Sequence, residues 1–121
     1  LLQEIKQEFS ICKLEDKIDI TIFENKYCFI SITDDERLLI CPTQLVPSNV
    51  IAIENDWNCF RIAEDAAFEK YRMIAFLTSI IAGEKTGVLV VATFDTDCLF
   101  VKKDRIKSEK NALIKNGCNF I

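Results

Sequence analysis

The chain has 121 residues, half of them hydrophobic and 10% aromatic, which is enough for a sizeable core and excludes a disordered chain. Net charge is -4 and the 15 basic residues are scattered, so no Lys/Arg stripe faces a phosphate backbone and no nucleic-acid partner is expected. Histidine is absent, which removes histidine-based acid–base and triad chemistry, and no apolar run is long enough to span a bilayer.

Leu1, Leu2, Ile5 and Phe9 recur at helical spacing and predict a short leading helix. The same residues lack the basic flank and long apolar stretch of a signal peptide, so a cytoplasmic location without a membrane partner is expected. Phe9–Leu14 alternates at period two and predicts a strand, and Ile18, Ile20 and Ile22 suggest another extended piece. Tyr27–Ile32 and Leu38–Cys41 predict a hairpin around Thr33-Asp34-Asp35-Glu36-Arg37, which Pro42 stops. Thr43–Asp56 holds at most a short helical turn and an extended stretch at Val50–Ile53. Trp57–Ile62 is the next strand, with Trp57, Cys59 and Arg61 on one face.

Phe68–Gly83 predicts the main helix, with one apolar stripe at Phe68, Tyr71, Ile74, Leu77, Thr78 and Ile81 and another at Met73, Phe76 and Ile80. Two apolar runs follow, Val88–Ala92 and Cys98–Val101, and they flank Asp95-Thr96-Asp97. They predict two central antiparallel strands whose hairpin tip carries two carboxylates and a hydroxyl. Neither run alternates with polar residues, so both faces of the sheet are expected to be covered. Asp104 is placed to cap a second helix, Gly117 to end it, and Cys118–Ile121 to add a last short strand.

This order predicts an α+β, ferredoxin-like antiparallel sheet with helices. A complete C-terminal βαββαβ unit is expected at residues 56–121, and an incomplete, degenerate copy at residues 1–55. Cys12, Cys28, Cys41, Cys59, Cys98 and Cys118 form no Cys-x-x-Cys pair, and most sit inside apolar strand runs. They are expected to be reduced thiols in a cytosolic protein, with no metal among them.

Asp95 and Asp97 have no nucleophile or electrophile beside them in the sequence, and a turn explains them without catalysis. Cys98 lies in an apolar strand with no histidine to activate it. Asp97 with Arg72 matches the ammonium and carboxylate of an amino acid, and equally well forms a structural ion pair.

Three stretches carry a resemblance: Thr33-x-Asp35-Glu36 with Leu39-Ile40-Cys41-Pro42 and Val46-Pro47; Trp57-x-Cys59-x-Arg61-Ile62; and Ala92-Thr93-Phe94-Asp95-Thr96-Asp97-x-Leu99-x-Val101. Their order and spacing, from Phe9 to Gly117, resemble small stand-alone proteins of tandem ACT-like units related to aspartokinase regulatory domains. The resemblance implies a non-catalytic regulatory module without a cofactor, binding a small molecule such as an amino acid at an interface between ACT units. It also implies a homodimer. Carried onto this chain, the ligand residues are Thr93, Asp95, Thr96 and Asp97, with Glu64, Asp65 and Ala66 from the loop Ala63–Phe68. Glu36 of the N-terminal hairpin joins them. Two departures keep open a second reading, an assembly module whose ligand site has decayed. Arg72 stands where a small residue is usual, and Leu38 where a hydroxyl residue is expected.

Overall fold

Thirteen residues at the start of the chain, Leu2–Leu14, run as one extended strand, β1, where helical spacing predicts a helix over the first nine. A computed structural model describes residues 1–63, 70–83 and 87–121, and the backbone alone at 70–73. The strand wins over the helix because backbone partners lie on two sides of its first residues. Leu2 N–H donates to the Asn119 carbonyl at 2.8 Å, Ile121 N–H to the Leu2 carbonyl at 2.9 Å, and Ala63 N–H to the Leu1 carbonyl at 2.9 Å. Tertiary pairing of this kind overrides local periodicity.

The remaining elements are β2 (Phe29–Ile32), β3 (Arg37–Pro42), β4 (Val50–Ile62), α1 (Lys70–Gly83), β5 (Leu89–Ala92), β6 (Asp97–Lys102) and α2 (Ile106–Lys115). Short 3-10 turns lie at Ile20–Glu24, Thr43–Leu45 and Lys103–Arg105. The chain divides into two compact units. One comprises Leu1–Lys6 and Asn58–Ile121, the other Gln7–Trp57. β1 and β4 each pass from one unit into the other.

In the unit Gln7–Trp57 the strands lie in the order β2-β3-β1-β4, with β1/β3 and β2/β3 antiparallel. The chain order is strand, turn, strand, strand, turn, strand, which is the βαββαβ sequence with 3-10 turns where the helices would stand. Ser10 pairs with Cys41 and Cys12 with Leu39. Cys12, Leu14, Leu39 and Cys41 form the core of this unit, and Ile18 and Ile22 from the first crossover and Leu45 and Val46 from the second pack on it. The crossovers thus deliver apolar side chains without a long helix. Ile18–Ile22 is not extended as its alternation suggests. The Asp19 carboxylate accepts from Thr21 N–H at 3.0 Å and from the Thr21 hydroxyl at 2.7 Å, which closes the chain into a turn.

In the other unit the order is β1-β4-β6-β5, with β5/β6 antiparallel. Phe60 and Ile62 of β4 and Leu99 and Val101 of β6 alternate onto one face, where Leu77 and Ile81 of α1, Leu113 of α2 and Leu2 complete the core. Cys59, Cys98 and Phe100, on the opposite face, are also fully buried, so β6 is covered on both faces as its unbroken apolar run requires, whereas the edge strand β5 is half-buried at Leu89, Val90 and Val91 and exposed at Ala92. The place of a fourth strand beside β4 is filled by the first half of β1. The predicted last strand at Cys118–Ile121 is reduced to one parallel bridge between Phe120 and Leu2.

Two boundaries differ from expectation and a third agrees with it. The stretches Val50–Ile53 and Trp57–Ile62 are a single strand, β4, in which Asp56 takes a left-handed conformation, φ 66°. Asp104 does not cap α2. It sits within the turn Lys103–Arg105, and Arg105 precedes the helix with no side-chain cap. Gly117, φ 95°, does end α2: its N–H donates to the Ile114 carbonyl and Cys118 N–H to the Leu113 carbonyl, both at 3.0 Å, the Schellman arrangement.

Candidate functional site

Each unit carries one hairpin whose tip begins with threonine. In the β2–β3 tip, Thr33 N–H donates to the Glu36 carbonyl at 2.9 Å, and the Thr33 hydroxyl accepts from the N–H groups of Asp35 (3.2 Å) and Glu36 (3.3 Å). In the β5–β6 tip, Thr93 N–H donates to the Thr96 carbonyl at 2.8 Å. The Thr93 hydroxyl accepts from Thr96 N–H at 3.1 Å and donates to the Thr96 carbonyl at 2.9 Å. The similarity between Thr33-x-Asp35-Glu36 and Thr93-x-Asp95-Thr96 is therefore a shared turn construction, in which a short hydroxyl substitutes for backbone partners across the tip.

This construction separates the candidate residues. Phe94 is 96% exposed at the tip, with Asp95 exposed beside it and Thr96 half-buried. Asp97, opposite Ala92 as the first residue of β6, is only 7% exposed. Alternation places Asp97 on the same face of β6 as Leu99 and Val101, toward the side that α1 and α2 cover. Asp95 and Asp97 are thus not a matched carboxylate pair: one is in water and the other is enclosed. Thr93, Asp95, Thr96 and Asp97 stand together on one hairpin, whereas Glu36 is exposed on the hairpin of the other unit. Glu64, Asp65 and Ala66 lie outside the described residues. Arg72 is the third residue of α1, and its side chain lies outside the description too. Leu38, where a hydroxyl residue is expected, is half-buried on β3 opposite Ser31 of β2 and Lys13 of β1.

Two polar features escaped the sequence reading. The hydroxyl of buried Ser10 donates to the Asn55 side-chain carbonyl at 2.7 Å and accepts from the Thr43 hydroxyl at 2.9 Å. The four fully buried cysteines are also paired through their thiols, Cys12 with Cys41 and Cys59 with Cys98. Contact with the partner thiol, followed by burial, pushes the Cys41 and Cys59 thiols well above the ordinary value. All six cysteines are free thiols. A signal existed for both pairs: all four cysteines lie on strands that the sequence predicts, and only the register between those strands was missing. Among the described residues no group of three or more His, Cys, Asp or Glu side chains could hold a metal ion.

No family model matches the chain, and no curated protein matches it in sequence. Solved structures do match it in shape. A protein from Agrobacterium tumefaciens superimposes with a TM-score of 0.89 at 24% identity, over 99% of this chain and 90% of that one. The ligand-free regulatory subunit of aspartate kinase from Thermus thermophilus matches with a TM-score of 0.63 at 7% identity, over 97% and 95%. The allosteric aspartate kinase of Clostridium acetobutylicum matches with a TM-score of 0.58 at 8% identity, over 90% of this chain and 33% of the enzyme. These identities carry the fold alone. The chain has an α+β fold of the ferredoxin-like, ACT type, and its structural neighbours include aspartate kinase regulatory domains.

Proposed function

We propose that this chain is a non-catalytic regulatory module of the ACT type that binds a free amino acid and acts as a homodimer in the cytoplasm. The observation that carries the reading is the match to a whole regulatory subunit over nearly the full length of both chains. The repeated threonine-capped hairpin supports it, because a rigid tip is a suitable platform for a small ligand. In this reading Asp97 accepts the ligand's ammonium group through a charge-assisted hydrogen bond and Thr96 offers a hydroxyl. Thr93 and Asp95 shape the tip, and Glu64, Asp65, Ala66 and Arg72 complete the proposed set.

The test has two stages. A thermal-shift screen of the free amino acids identifies a ligand, since binding to the native state alone raises its stability. Calorimetry then compares the wild type with Asp97→Asn, which keeps the shape and removes the charge. The variant is expected to bind about 1.5–3 kcal/mol more weakly, the worth of a hydrogen bond to a charged group. Equal affinities would remove Asp97 from the site. A screen without any shift, on a protein that sediments as a dimer, would favour the assembly module suggested by Arg72 and Leu38.

A further inference from the structure

The chain contains one Asn-Gly step, Asn116-Gly117, and it falls at the end of α2. Glycine has no side chain to shield its amide nitrogen, so that nitrogen can approach the preceding asparagine side chain more freely than any other residue's. Both residues are exposed to water. We propose that Asn116-Gly117 is a site of spontaneous conversion to isoaspartate, kept latent by the C-cap of α2.

In the reaction the Gly117 nitrogen attacks Cγ of Asn116. The new N–Cγ bond forms, the Cγ–Nδ2 bond breaks, and ammonia leaves with the proton from the Gly117 nitrogen. Water then opens the cyclic imide at either carbonyl and leaves aspartate or isoaspartate. No oxidant, reductant or cofactor is required.

The cap restrains both reacting groups. Gly117 N–H is committed to the Ile114 carbonyl at 3.0 Å, and Asn116 Nδ2 donates to the Ala112 carbonyl at 2.8 Å. The tail beyond them holds the cap closed. Cys118 N–H donates to the Leu113 carbonyl, and Asn119 and Ile121 bond to Leu2. The Phe120 ring packs edge-on to Phe60 at 5.2 Å and beneath the Lys110 ammonium at 5.0 Å. Conversion would undo this arrangement. Isoaspartate adds a methylene to the backbone between α2 and the tail, and the product carboxylate stands at the negative end of the helix. The cap and the Leu2 pairing cannot both survive that insertion, so the isoaspartate product releases the Leu2 end of β1.

The test incubates the intact protein in mildly alkaline buffer, with and without urea, and maps isoaspartate by peptide mass and enzymatic methylation. The native protein is expected to convert about tenfold or more slowly than the unfolded one, because reaction follows the open fraction. Asn116→Gln should abolish the product, and Phe120→Ala should accelerate it without urea. Equal rates in the native and unfolded states would overturn the guard, and no product in urea would overturn the site. Hydrogen exchange of the wild-type Gly117 amide tests the guard without a variant: slow exchange supports it and free exchange overturns it.

Discussion

Asp56 shows at single-residue scale how the structure departs from pattern. Its φ of 66° interrupts β4 without ending it, a conformation that costs most residues about 1–2 kcal/mol and glycine almost nothing. Asp56→Gly should therefore leave urea stability unchanged or slightly raised, whereas Asp56→Val should lose about 1–2 kcal/mol. Loss of stability in the glycine variant would show that the aspartate side chain, not its backbone, matters there. The buried thiols make a second residue-scale prediction. Thiol contact raises Cys41 and Cys59 and lowers their partners Cys12 and Cys98, so the shifts within each pair oppose one another, whereas burial raises Cys28 and Cys118 above the ordinary value of 9.0. A group with a raised folded-state pKa stabilises fully below its unfolded value and loses that contribution as pH rises. Through Cys28 and Cys118, stability should thus fall above pH 9.0, as the unfolded chain releases protons that the fold retains. Urea midpoints at about pH 7 and about pH 10 check the sign, and substituting Cys28 and Cys118 by alanine should flatten the difference.

Among elements, the hairpins were the most legible. Each is a pair of apolar runs around a polar tip, and the threonine that opens each tip bonds across it with the same hydroxyl. Thr33→Val and Thr93→Val should each lower the unfolding free energy by about 0.5–1.5 kcal/mol, the net worth of such hydrogen bonds. Similar losses in the two variants would confirm a shared construction, and a null effect at Thr93 would refute it. α2 was legible at its end, because Gly117 carries the cap, but not at its start, where a 3-10 turn takes in the expected cap Asp104. The 3-10 turn at Ile20–Glu24 was hidden for another reason. Alternating Ile and Thr read as a strand, and the deciding bond runs from the backbone to the Asp19 side chain. The candidate site was legible as a motif, yet the burial that divides Asp95 from Asp97 is set by tertiary packing, which no local pattern contains.

The least legible feature of the whole molecule is its strand sharing. No periodicity marks where a 13-residue strand passes from one unit to the next, yet β1 gives residues 2–6 to the unit that otherwise begins at Asn58. Leu2 is 2% exposed and belongs to the same core as Phe60, Leu99 and Leu113. Here the strand is held on two sides and its side chain fills a core, so Leu2→Ala should cost about 2–5 kcal/mol, as a buried leucine does elsewhere. The loss should also be local. Hydrogen exchange should speed up across β4 from Asn58, β6 and α2, while the β1–β3 amides around Cys12 and Cys41 change least. Exchange that accelerates equally throughout would mean that the two units unfold as one. A loss well under the stated range would mean that the first half of β1 only lies against its neighbours, and that the unit is complete without it.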